Sequence, residues 1–147
     1  MQSEAMIMNK PDHMDVAELI PQRVPFVMIT KLLDVREQSA TSSFRILEDN
    51  IFVKDGQFQE SGLIENIAQT AAAMSGYKAK KSGSAAEIGF LGGVKNLHVY
   101  YLPAVDTNLT TKVILENQVL NVNLIKGLIR QEDKLVAECE MKVFLID

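Results

Sequence analysis

Gly62-Leu63-Ile64-Glu65-Asn66-Ile67-Ala68-Gln69-Thr70-Ala71-Ala72-Ala73-Met74-Ser75-Gly76-Tyr77 is the stretch whose reading decides the fold. Ile64, Ile67, Ala68, Ala71 and Met74 recur at helical spacing, which predicts a helix of about four turns. The opposite face carries Ala72 and Ala73 rather than a row of charges. Such a helix must be buried on most sides. It is too short to span a membrane, which takes about 20 apolar residues. Lys78, Lys80 and Lys81 follow, where positive charge suits the negative end of the helix dipole. Two polar residues stand in this run one turn apart, Glu65 and Gln69. A carboxylate in an apolar helix is costly unless it is solvated, paired or at work. Glu65 is therefore either a first-turn carboxylate open to water or a functional acid.

Outward from the helix, the chain reads as strands able to wrap it. Residues 1–11 are polar, Met-rich and aperiodic, and are expected to be flexible; 12–147 form a single domain. Asp15 can cap a short helix over 16–19, which Pro21 ends, and Pro25 keeps 20–25 irregular. Residues 26–29 and 32–35 read as a first strand, and 41–47 as a second. A loop over 48–61 carries the Asp55-Gly56 turn signal and ends at Ser61, the expected helix N-cap. Lys81-Ser82-Gly83-Ser84 closes the helix. Extended stretches follow over 87–101, 109–115, 119–130 and 135–146, with a turn at 131–134. Gly89, Gly92 and Gly93 in the first of them signal a bulge or the close approach of a ligand or another backbone. Strand, strand, buried helix, then long antiparallel strands is the α+β layout of the hot-dog fold, in which a curved antiparallel sheet wraps one long central helix.

Composition narrows the function. The chain has 147 residues, 47% of them hydrophobic and 23% charged, enough for one core. A net charge of -4 disfavours a general nucleic-acid binder. The lone cysteine, Cys139, excludes an intramolecular disulfide and fits a cytoplasmic setting. His13 and His98 are the only histidines and have no metal-ligand spacing. No basic stretch followed by an apolar run marks a secretory leader. No metal or redox cofactor is implied.

Three motifs go further. Leu19-Ile20-Pro21-Gln22-Arg23-Val24-Pro25-Phe26 resembles the N-terminal motif of β-hydroxyacyl-acyl-carrier-protein dehydratases. Glu65-Asn66-Ile67-Ala68-Gln69 resembles their helix motif, an acid followed four residues later by Gln. Gly92-Gly93-Val94-Lys95-Asn96, then Leu102-Pro103 and Asp106, resemble the strand and turn that follow. The likeness runs over about residues 17–117. Gly62-Leu63-Ile64-Glu65, Ala68-Gln69-Thr70 and Gly89-Phe90-Leu91-Gly92 are similar to the dehydratase-like proteins of aryl polyene pigment pathways.

The resemblance implies a dimer in which the strand after the helix pairs with its mate, placing 87–95 at the interface. It implies an acyl tunnel between subunits and, for the residues, catalytic Glu65, with backbone N–H groups near Gly62 and Leu63 holding the thioester carbonyl. Phe26, Ile64, Phe90, Leu91, Gly92, Gly93 and Met74 would line the tunnel, with Gln69 beside the acid. A histidine of the family's first motif is Gln22 here, and a carboxamide cannot serve as a general base. The family's Pro-Gly pair before the helix is also absent; Gln59-Glu60-Ser61-Gly62 stands there.

Three readings stay open. The first is a (3R)-hydroxyacyl dehydratase of fatty acid or polyene synthesis whose partner chain supplies the missing base. The second is a thioesterase in which Glu65 acts as base or nucleophile and Gln22 orients water or the carbonyl. The third is a non-catalytic subunit that binds acyl chains or stabilises a partner. The substrate would be a thioester on acyl carrier protein or coenzyme A, and the assembly a homodimer or a heterodimer with another hot-dog chain. Lys78, Lys80 and Lys81, with Arg23 and Lys95 nearby, form a candidate docking patch for an acidic carrier protein, or else solvate the helix end.

Overall fold

The computed structural model describes residues 11–85 and 87–146. A 3-10 turn, Val16–Glu18, is capped by Asp15, whose carboxylate accepts from the Ala17 N–H at 3.0 Å. The strands are β1 (Lys31–Val35), β2 (Ser39–Arg45), β3 (Val53–Lys54), β4 (Gln57–Phe58), β5 (Ile88–Val99), β6 (Asn108–Val119), β7 (Val122–Gln131) and β8 (Lys134–Ile146). One helix, α1 (Glu60–Ser82), stands between β4 and β5. Six strands form one antiparallel sheet in the order β1-β2-β6-β7-β8-β5, and β3 and β4 form a small hairpin turned at Asp55-Gly56. The α1 helix packs against this curved sheet, the hot-dog arrangement expected from the element order.

Strand alternation decides which side of the sheet α1 meets. In β7, Ile125, Gly127 and Ile129 point inward and are buried. A Cβ on Gly127 would lie 2.3 Å from Ile67 of α1, so glycine is what lets helix and sheet approach there. Leu63, Ile67, Ala73 and Tyr77 of the helix are fully buried against Leu32, Leu109, Ile129, Ala137 and their neighbours. Gly76 takes the other side of α1 against the N-terminal segment, where a Cβ would meet the Leu19 carbonyl oxygen at 2.1 Å.

Several boundaries differ from those expected. The helix begins two residues earlier, with Gln59 rather than Ser61 as N-cap. The chain enters α1 straight from β4, where the Gln59 N–H is already bonded to the Phe52 carbonyl. Glu65 is consequently a second-turn residue. At the other end Gly83 takes φ 73°, and Ser84 N–H returns to Ala79 O at 2.9 Å, a glycine C-cap. Residues 26–29 are not part of β1, since they bond to α1 side chains instead of to a strand. Residues 119–130 are not one strand: Leu120, at φ 56°, turns the chain between β6 and β7. Of the segment expected to be flexible, residues 1–10 lie outside the described residues, and Pro11 is buried. Among the described residues no helix is long and apolar enough to cross a membrane.

Cys139 faces inward from β8 and is buried. Burial, and secondarily Glu140, pushes its thiol up to about 11. The folded state therefore favours the neutral thiol. This stabilisation is complete below the ordinary thiol range and fades as pH rises through 11. Cys139 is expected to resist alkylation at pH 8 in the native protein and to react fully in denaturant. Mass measurement after a timed iodoacetamide pulse checks this; rapid native labelling would contradict the burial.

Candidate functional site

A buried polar cluster inside the apolar helix sets up the site. Gln69 is fully buried, and both ends of its amide are committed to backbone. Its Oε1 accepts from Met28 N–H at 2.7 Å and its Nε2 donates to Phe26 O at 2.8 Å. Asn66 donates to Met28 O at 2.8 Å and accepts from the Thr111 hydroxyl at 2.5 Å. Thr70 donates to Asn66 O at 2.8 Å, so at its 2.7 Å contact with Ser42 the serine is the donor. Two carboxamides of α1 thus hold residues 26–28 where a strand partner would otherwise be needed. Arg23 stiffens the preceding turn, donating to the Ile20 and Gln22 carbonyls at 2.7 Å each.

The residues just before this segment, 17–23, form one wall of a groove of about 520 Å³. Its other walls are one face of α1 and the N-terminal end of β5 with the strand ends beside it. Glu65, Ala68, Ala72 and Ser75 recur every three or four residues along this helix face, so small side chains leave the space open beyond the carboxylate. Leu91, Val143 and Asn123 share one row across β5, β8 and β7 on the inner face. Leu145 and Ile125 add apolar surface. A second hollow of about 390 Å³ shares Ala71, Ser75, Glu87, Asn123, Ile125 and Leu145 with the first and continues it toward the C-terminal end of α1. The result is an elongated trough along the helix, mainly apolar in the first hollow and mixed in the second, with Glu65 toward one end and Glu87 common to both, a shape suited to an extended chain.

Glu65 is half-buried in this groove and makes no hydrogen bond or ion pair among the described residues. The first-turn acid of α1 is Glu60, so the dipole reading does not account for Glu65. Gln22 lines the same groove of the same chain, and its Oε1 is buried without a hydrogen-bond partner among the described residues. Gln22, on the N-terminal segment, and Glu65, on α1, therefore line one groove of this chain. No histidine lines the groove among the described residues. His98 pairs with Glu138 on the outer face of the sheet, ring-stacked beside Tyr100, and His13 is exposed on the N-terminal segment.

The other expected site residues divide. Phe90 and Leu91 line the groove beside Glu65. Gly62 and Leu63 do not hold a carbonyl, because their N–H groups already donate to Gln59 O at 2.9 and 3.2 Å, a consequence of the early helix start. Leu63 is wholly in the core, and Gly62 is closed off by Phe58 and Phe52. Gln69 is a positioning residue, with no free amide for a ligand. Ile64 packs against the core, and the Phe26 ring is exposed. Met74 lines the second hollow. Gly92 and Gly93 line a separate hollow of about 310 Å³, and the Phe144 ring covers Gly92. The three lysines have partners within the chain. Lys80 pairs with Glu18 at 3.4 Å, Lys78 donates to Glu37 O, and Lys81 lies 5.7 Å from the Tyr77 ring centroid. Asn123 was missed, although the parity that places Ile125 and Gly127 inward places it inward too.

One further feature bears on the site. β5 ends the sheet with no strand on its outer side, and Ile88, Phe90 and Leu91 on it are 45–56% exposed. An apolar, unpaired edge of this length is the kind of surface on which another strand can pair.

A hot-dog helix-and-sheet unit with an acid-ended apolar groove defines the class, and comparison with known proteins narrows it. The chain belongs to the ApeP-like family, described as ApeP dehydratase, whose profile matches residues 14–147. It is 26% identical over 95 residues to a 3-hydroxyacyl-[acyl-carrier-protein] dehydratase FabZ of Allorhizobium ampelinum, spanning 60% of this chain and 60% of that curated relative's length. Among solved structures it resembles the dehydratase heterocomplex ApeI:P from Xenorhabdus doucetiae, with TM-score 0.85 and 18% identity over 92% of this chain and 93% of that one. It also resembles a hypothetical thioesterase, solved with coenzyme A, from Streptococcus pneumoniae TIGR4, with TM-score 0.63 and 14% identity over 79% of this chain and 84% of that one.

Proposed function

We propose that this chain is the acid-bearing half of a (3R)-hydroxyacyl thioester dehydratase, acting in fatty acid or polyene synthesis. The observation that carries the proposal is the placement of Glu65, half-buried and without a structural partner, in an apolar groove that contains no histidine among the described residues. Dehydration of a 3-hydroxyacyl thioester requires a base to remove a C2 proton and an acid to help the C3 hydroxyl leave as water. Glu65 suits the second task. Gln22, a carboxamide, can hydrogen-bond the thioester or a water but cannot take the proton.

The base then comes from a second hot-dog chain seated along β5, whose edge borders the groove. The similarity to a dehydratase heterocomplex favours a mixed pair over two copies of this chain. The substrate is an acyl thioester on a carrier protein or coenzyme A. The thioesterase neighbour keeps hydrolysis as the second reading, in which Glu65 activates water against the thioester carbonyl.

Hydration of a crotonyl thioester on carrier protein, followed by mass, tests the proposal. The chain alone is expected to be silent, and a mixture with a His-bearing hot-dog dehydratase chain to add water faster than that partner alone. Release of free crotonate by the chain alone would favour hydrolysis instead. A mixture no faster than the partner would leave this chain a stabilising subunit.

A further inference from the structure

The trough has a polar far end that the chemistry at Glu65 does not use. Asn123 faces inward from β7, between apolar Ile125 and Val143. Its Oδ1 is buried and has no hydrogen-bond partner among the described residues. A buried, unpartnered carboxamide oxygen is costly unless a ligand or water completes it. The two hollows share Asn123 with Ala71 and Ser75 of α1. Those helix residues stand six and ten positions beyond Glu65, a rise of roughly 9–15 Å. An extended chain covers about 3.8 Å for every three bonds, so this is a reach of roughly seven to twelve bonds.

We infer that Asn123 is a specificity residue for the distal end of the acyl chain, selecting thioesters that carry a hydrogen-bond donor, such as a hydroxyl, about ten bonds beyond the carbon at which Glu65 acts. This rests on the reading of the trough as an acyl site. An orphaned oxygen calls for a donor, and the Ser75 hydroxyl beside it can accept or donate in turn. Glu87 and Lys78 both line this end, so charge there is of both signs and the orphaned oxygen is what asks for a donor. A plain alkyl terminus would leave Asn123 buried and unmet.

Calorimetric titration of the full chain, assembled with its partner where one is required, tests this with two probes: the N-acetylcysteamine thioesters of dodecanoic and ω-hydroxydodecanoic acid. The hydroxylated probe is expected to bind about tenfold more tightly, the worth of one well-made buried hydrogen bond. Asn123→Leu should abolish or reverse that preference while keeping affinity for the plain chain. Equal affinities for the two probes in the wild type would overturn the subsite and leave the acyl groove standing. Binding of neither probe would remove the acyl reading and the subsite with it. Should Asn123→Leu fail to fold, the wild-type comparison alone decides.

Discussion

Gln69→Leu is expected to cost about 2–5 kcal/mol of stability, the largest loss for any single side chain outside the apolar core. The substitution keeps the volume roughly constant, so no large cavity arises. It removes two of the three bonds that tie α1 to residues 26–28, leaving Met28 N–H and Phe26 C=O unpaired. Each orphaned buried group costs about 1–3 kcal/mol. Met28 N–H has no neighbouring strand to turn to. The effect should reach the site as well, because the anchored segment continues into the groove wall at Gln22 and Arg23. Urea unfolding measures the stability, and amide exchange at Met28 locates the loss. Stability within about 0.5 kcal/mol of wild type would show that water can replace the carboxamide.

Leu91→Asp on the open edge of β5 is expected to weaken assembly at least a hundredfold. Leu91 is 45% exposed in the single chain and borders the groove. Burying a leucine contributes about 1.5–3 kcal/mol, and burying an unpaired carboxylate adds a penalty of several more. The isolated chain should fold normally, since the residue is at the rim and not in the core. Light scattering of an equimolar mixture with the His-bearing hot-dog partner at micromolar concentration would show a smaller mass than the wild-type mixture. An unchanged mass would place the partner surface elsewhere and leave the exposed Ile88 and Phe90 without a role.

Much of this was legible in the residues. The apolar helix with no charged face required a wrapping sheet, and the order of the strands around it left one simple fold. The helix ends were less legible. Ser61 is a good cap by type, yet Gln59 caps the helix, because the β3–β4 hairpin delivers the chain to α1 two residues sooner. That same shift withdrew Gly62 and Leu63 from the site, since a residue's free N–H depends on where the helix begins and not on its own identity. Phe26-Val27-Met28-Ile29 has the composition of a strand, but its hydrogen bonds go to Asn66 and Gln69. Only tertiary structure shows that those carboxamides point inward at it. Glu65 was visible as an anomaly, an acid in an apolar helix. Asn123 was an equal anomaly in β7 and passed unnoticed among several polar residues of nearby turns.

The account stands on Glu65, and one measurement tests it most directly. In the mixed assembly that hydrates crotonyl thioester, this chain is replaced by its Glu65→Ala form, with Glu65→Gln beside it as the isosteric control. Glu65 makes no hydrogen bond or ion pair among the described residues, so thermal stability and assembly mass should hold. The hydration rate that this chain adds should fall by roughly 100-fold or more, the usual contribution of a positioned acid. Full activity with alanine at 65 would contradict the account, because the groove would then be a binding surface whose carboxylate takes no part in the chemistry.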